Sequence, residues 1–229
     1  LGHALGHPPF GHIGEQALDT ANRRHGGSGF KHNVHSLRVV DVLERDGRGL
    51  NVNQPVREGI LKHTGPEKST SLEGQIVRLV DRVAYINHDI DDALRAGILR
   101  PEDLPHEEIA LLGPTGASRI DALVKDIVDQ SQTGNEIRQS DHMGQAMLRL
   151  RKFMFENVYL GPKARAEHER VHRAMRILFE HYLERLDEIP VLDPDADPLQ
   201  RVTDLLAGMT DRYCINHFAE LYLPERSRL

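Results

Sequence analysis

Apolar residues in this chain recur at three- and four-residue spacing, and almost nowhere do they alternate with polar ones. Alternation is the signature of a half-buried strand, and helical spacing that of an amphipathic helix, so the core must be built from packed helices. The strongest segment is 72–96. Thr70 followed by Glu73 has the form of a capping box, Gly97 suits a left-handed C-terminal cap, and Pro101 lies beyond. Further helices are expected at 11–24, after the Pro8-Pro9 turn, and at 32–45, 54–63, 117–131, 140–158, 162–186 and 199–222, with Pro162 suited to a first helical turn. Gly26, Gly27 and Gly29 break the chain between the first two, and residues 188–198 form a loop rich in proline and acid. The pattern predicts an all-α fold.

The 229 residues suffice for one large or two small domains. No apolar run approaches the roughly 20 residues of a membrane-spanning helix, and no secretory signal opens the chain. One cysteine, Cys214, excludes an intrachain disulfide framework and fits a reducing, cytoplasmic compartment. Its apolar surroundings mark it as core rather than nucleophile. A net charge of −6 argues against a general nucleic-acid binder but leaves a phosphate-bearing substrate open, because local cations can reverse the local field.

Histidine is the informative residue. Six of the 14 fall within the first 35 positions: His3, His7, His12, His25, His32 and His35. His3, His7 and His12 are separated by glycine and proline, so they cannot share one regular helix, but they can converge around a turn. His12 and Glu15, three apart, can meet on one helical face, where the carboxylate would favour the imidazolium. The plainer alternative is a surface histidine beside a helix-start glutamate. His35, after the glycine-rich loop, either approaches the same pocket or belongs to a helix-start cluster. On the 72–96 helix, Asp81, Tyr85 and Asp89 fall along one side. Carboxylates among apolar neighbours need a partner or a metal, unless this is a solvated face. Asp91 and Asp92 are expected in solvent, residues 153–155 in the core, and Asp211-Arg212-Tyr213 in packing, subunit or ion-pair roles.

The segment GHALGHPPFGHIGE resembles the surroundings of the His-Asp doublet in HD-domain phosphohydrolases, in the bacterial dGTP triphosphohydrolase-like branch. FKHNVHSLRVV, SLEGQIVRLVDRVAYINHDIDDALRAGIL, FMFENVYLGPKA and LLAGMTDRYCINHFAELYLP are similar to the same branch and follow in the expected order. The resemblance implies a single HD-type domain over 1–229, with a helical core over about 1–100 and additional C-terminal helices over about 117–229. It implies metal-dependent cleavage of a deoxynucleoside triphosphate, dGTP or several dNTPs, into deoxynucleoside and tripolyphosphate. It also implies a divalent cofactor, Mg²⁺ or Mn²⁺, and a homo-oligomer, often a hexamer.

Carried over by position, the resemblance makes His3 and Asp81 metal ligands, His12 the catalytic histidine and Glu15 its carboxylate partner. Tyr85 lies under the deoxyribose and Asp89 at its 3′-hydroxyl. Arg82 faces the triphosphate, and His7 is a phosphate contact; His35, by its own position after the glycine-rich loop, is a further candidate for the phosphates. Two departures stand out. Ala4 occupies the aspartate position of the doublet, and the family's earlier metal-binding histidine would lie upstream of residue 1, so the chain reads as N-terminally incomplete. The alternative is a catalytically impaired protein that binds or senses nucleotide.

Overall fold

A computed structural model describes residues 2–132 and 134–224, with 162 and 163 as backbone only. Among the described residues the regular structure is helical: α1 (Gly11–Arg24), α2 (His32–Arg38), α3 (Glu44–Gly47), α4 (Gln54–Lys62), α5 (Leu72–Arg95), α6 (His106–Leu112), α7 (Gly116–Ser131), α8 (Asp141–Met154), α9 (Pro162–Glu184), α10 (Pro198–Ala207) and α11 (Asp211–Tyr222). The all-α expectation holds. Two compact units emerge: one comprises 1–61 with 167–229, the other 62–166.

The first unit buries one apolar cluster. Leu18 from α1, Met175, Leu178 and Phe179 from α9, and Val202 and Leu206 from α10 are almost wholly buried in it. Each such side chain contributes roughly 1.5–3 kcal/mol relative to exposure. Cys214 sits in this cluster, as expected, and burial pushes its thiol up to about 11. In the second unit, Val83, Ile86 and Ile90 of α5 face Leu123 of α7 and Leu150 and Met154 of α8.

Several elements depart from the sequence expectations. The segment 199–222 is two helices: Thr210 caps α11 through a 3.2 Å hydrogen bond that its hydroxyl accepts from the Tyr213 amide. Apolar periodicity runs on through Gly208 and conceals that break. Ser71, not Thr70, caps α5, its hydroxyl accepting from the Gly74 amide at 3.2 Å. Gly97 takes the left-handed conformation, with φ 63°. The short α6, between Pro105 and Gly113, went unpredicted. Helices α2 and α8 each run into a π turn, Val39–Leu43 and Phe155–Tyr159. Met154 is core, but Phe155, where the π turn begins, is exposed. Asp91 is not simply solvated: it accepts a 2.8 Å hydrogen bond from the fully buried Arg119.

Candidate functional site

The histidine-rich turn is held by backbone contacts that its glycines permit. A Cβ on Gly6 would lie 2.2 Å from the Ser36 amide nitrogen, so only glycine lets the turn rest against α2. Ser36 fastens both sides of it, donating to the His3 carbonyl at 2.8 Å and accepting from the Gly6 amide at 2.9 Å. The chain then reverses into α1 through two left-handed residues, Phe10 (φ 66°) and Gly11 (φ 59°). A left-handed phenylalanine is uncommon and must be held in place by its surroundings. The Phe10 amide donates to Asp211 Oδ1 at 2.8 Å, and the Phe10 side chain packs on the first core. Asp211 therefore pins the turn, which gives substance to the structural role expected of it.

This reversal gathers three imidazoles. His7 stacks on His32 with ring centroids 4.6 Å apart, and His12 lies 5.4 Å from His7 and 6.1 Å from His32. Glu15, one turn into α1, spans two of them. Its Oε1 meets His32 Nδ1 at 2.8 Å and accepts from the His32 amide at 2.9 Å, and its Oε2 meets His12 Nδ1 at 3.4 Å. Burial alone would raise the Glu15 pKa. Hydrogen bonds from His12 and His32 outweigh it and hold the carboxyl below the usual carboxylate range. His7 is shifted down, first by burial and then by the neighbouring imidazoles of His32 and His12. The result is one anionic carboxylate bracketed by imidazoles, with His12 on the exposed side.

The His3 carbonyl is held by Ser36, and Ala4 beside it is exposed. His35 lies deeper, 4% exposed, with its ring 5.3 Å from Phe30 and its Nδ1 3.6 Å from Asp204. Burial drives its pKa down to about 4, and the Arg38 charge adds to this against the pull of Asp204. Arg38 in turn binds Asp204 and Asp193. That network holds His35 in the interior of the first unit.

The other group of expected residues sits on α5, in the second unit. Asp81, Arg82, Tyr85 and Asp89 are all partly buried. The Tyr85 hydroxyl accepts from Arg151 Nε at 2.8 Å, and Asp89 accepts from the Tyr159 hydroxyl. Arg78, one turn before Arg82, donates to the carbonyls of Lys62, Gly65 and Glu67. Burial and the neighbouring Arg82 charge lower its pKa.

Residues 137–220 match the family model of a phosphohydrolase-associated domain. The deoxyguanosinetriphosphate triphosphohydrolase-like protein of Caldanaerobacter subterraneus subsp. tengcongensis is 43% identical over 228 residues, covering 98% of this chain and 66% of the relative. Its counterpart in Clostridium perfringens (strain 13 / Type A) is 42% identical, covering 98% of this chain and 68% of the relative. A third, from Thiobacillus denitrificans, is 32% identical, covering 98% and 74%. This chain belongs to the deoxyguanosinetriphosphate triphosphohydrolase-like family. It spans about two thirds of the length of the first two relatives.

Within a triphosphohydrolase-like protein the implied divalent ion would need a set of oxygen and nitrogen donors. Among the described residues no three His, Cys, Asp or Glu side chains gather to hold one. Ala4 offers no donor, so the residues present do not make up the expected ligand set. The sequence reading missed His32, which binds Glu15 and stacks on His7, and missed Arg151 and Tyr159, which hold Tyr85 and Asp89. His32 stands in the FKHNVHS segment and had a visible signal as one of the clustered histidines. Arg151 and Tyr159 gave none, being 66 and 70 residues from their partners.

Proposed function

We propose that this protein hydrolyses deoxynucleoside triphosphates, dGTP or several dNTPs, to deoxynucleoside and tripolyphosphate, with the chain acting as one HD-type phosphohydrolase domain. The observation that carries the reading is Glu15 held between His12 and His32, on a chain of this family. Water attacks the α-phosphorus, a new P–O bond forms, the bond to the 5′-oxygen breaks, and the proton shed by the attacking water passes to solvent. His12 gives its proton to that oxygen as the nucleoside leaves. Glu15, facing Nδ1, fixes the ring so that Nε2 carries the transfer. His7 and Arg82 meet the phosphates, Tyr85 lies under the deoxyribose, and Asp89 accepts from its 3′-hydroxyl. His35, on α2 with His32, is the further phosphate contact of this reading.

The family resemblance implies Mg²⁺ or Mn²⁺ on His3 and Asp81. With Ala4 between them in the expected set, these two donors are too few to hold the ion in the usual way, and no step is routed through it. Ala4 therefore favours a second reading, a protein that binds deoxynucleoside triphosphates without cleaving them. Either form is a cytoplasmic homo-oligomer, a hexamer being the frequent assembly of the family. No helix among the described residues is long and apolar enough to cross a membrane.

Chromatography of each deoxynucleoside triphosphate, incubated with the protein and Mg²⁺ or Mn²⁺, tests both readings. The protein is compared with its Ala4→Asp variant. Tripolyphosphate from the aspartate form alone supports the enzyme class and identifies Ala4 as the inactivating residue. Release by both means that Ala4 is tolerated. Bound but intact nucleotide in both supports the binding protein. Pyrophosphate with monophosphate would overturn the proposed bond cleavage.

A further inference from the structure

Away from the histidine turn, α1 and α9 of the first unit leave a groove of about 300 Å³ between them. On the α1 side, Ala17 and Ala21 are one turn apart and keep the groove open by their small size. Arg24 stands at its end, and α9 contributes His172, Arg173 and Arg176. Glu169 is the carboxylate in the lining. It is four residues before Arg173, yet the two form no ion pair within 4 Å. Arg176 is partly neutralised by Glu180 at 2.9 Å. Among the described residues neither Arg24 nor Arg173 has a carboxylate within that distance. Exposed arginines usually find a neighbouring acid or point apart, whereas here three guanidinium groups and an imidazole line one concave space. The field is felt locally. The pKa of His172 is lowered first by burial, then by His168 one turn earlier and by Arg24.

We propose that this groove is a second anion site, separate from the histidine turn, that takes the phosphate chain of a small polyphosphate, free or carried by a nucleotide. Guanidinium groups match phosphate oxygens in paired hydrogen bonds, and an anion would relieve the repulsion among Arg24, Arg173 and His172. The volume lies at the small end of ligand pockets, which suits a phosphate chain. The site stands on the groove's own geometry and goes beyond the hydrolytic reading.

The test is calorimetric titration of the full chain with inorganic tripolyphosphate at two salt concentrations. An Arg24→Gln/Arg173→Gln variant changes only exposed side chains, and circular dichroism verifies its fold. We expect salt-sensitive binding that this variant weakens about tenfold or more, as follows from losing charge-assisted hydrogen bonds. Arg82→Gln, which changes the hydrolytic site, should leave that binding in place. Unchanged affinity in the double variant overturns the proposal, as does binding that Arg82→Gln alone abolishes. A deoxynucleoside triphosphate that displaces tripolyphosphate from the groove identifies nucleotide as its source of phosphate. Binding of tripolyphosphate without such displacement assigns the groove to free polyphosphate.

Discussion

The two units each draw a charge out of solvent, wholly for Arg119 and partly for Glu15, and they treat it differently. In the second, Arg119 is wholly buried and donates to Asn87 Oδ1 at 2.7 Å, to Asp91 at 2.8 Å and to the Pro114 carbonyl at 3.3 Å. Asn87 donates onward to the Val83 carbonyl at 2.7 Å. A guanidinium does not change charge across the physiological range, so this network joins α5 to α7 without switching anything. In the first unit, the partly buried Glu15 carboxylate is bracketed by the imidazoles of His12 and His32. The first arrangement is structural cement, and the second leaves an imidazole, His12, facing solvent beside its carboxylate. A shielded charge alone therefore says little about function, whereas the chemistry and exposure of its partners say more.

The largest expected effect breaks the cement. Arg119→Ala strands Asn87 and leaves a cavity, and should cost about 4 kcal/mol of stability, reduced somewhat because Asp91 keeps contact with water. Urea unfolding measures it. A loss near zero would mean that Arg119 is not held as described. The steady-state binding of nucleotide by the surviving folded protein should change little.

Next comes His35, where the first unit buries a neutral imidazole. Lowering its pKa from the usual 6.5 to about 4 corresponds to about 3 kcal/mol. Because the folded-state value is the depressed one, this stability is fully present above pH 6.5. It falls away as pH drops toward 4, where the buried ring must take up a proton. Unfolding followed over that range should slope downward with acid in the wild type and more gently in His35→Gln. Equal slopes would remove His35 from the interior network.

Glu15→Gln follows, at about 2 kcal/mol near neutrality, since hydrogen bonds to the ionised carboxylate are lost. Here too the folded-state pKa is depressed. The difference between wild type and variant should be present above the usual carboxylate range and shrink as pH falls below it. Any tripolyphosphate release should fall far more than stability does. Comparable losses in both would reduce Glu15 to the same structural status as Arg119.

What the sequence disclosed follows the range of the forces involved. Helices were legible because their signals are local: the spacing on α5, the left-handed Gly97 after it, and Pro162 at the start of α9. Their ends were less so. Ser71 and Thr70 are equally good caps by type, and only the path of the backbone selects one. The His12–Glu15 contact spans three residues and was visible. The pairing of Glu15 with His32, or of Tyr85 with Arg151, depends on tertiary placement that no spacing encodes. The burial of His35 beside Asp204 depends on tertiary placement in the same way.

The smallest effect concerns the backbone that presents the imidazoles. Phe10 holds a left-handed conformation in which its amide would point at nothing but for Asp211, 201 residues away in sequence. Asp211→Ala removes that acceptor at an exposed site, so the amide can turn to water and the cost to stability should be only about 1 kcal/mol. The turn carries His7 and His12, however, and proton transfer depends on their placement to a fraction of an ångström. The variant should therefore lose more in catalysis or nucleotide affinity than in stability, while Asp211→Asn, which keeps an acceptor oxygen, should recover most of both. If Asp211→Ala lowers stability alone, the turn is rigid without its pin, and the imidazole cluster owes its geometry to Ser36 and Gly6 instead.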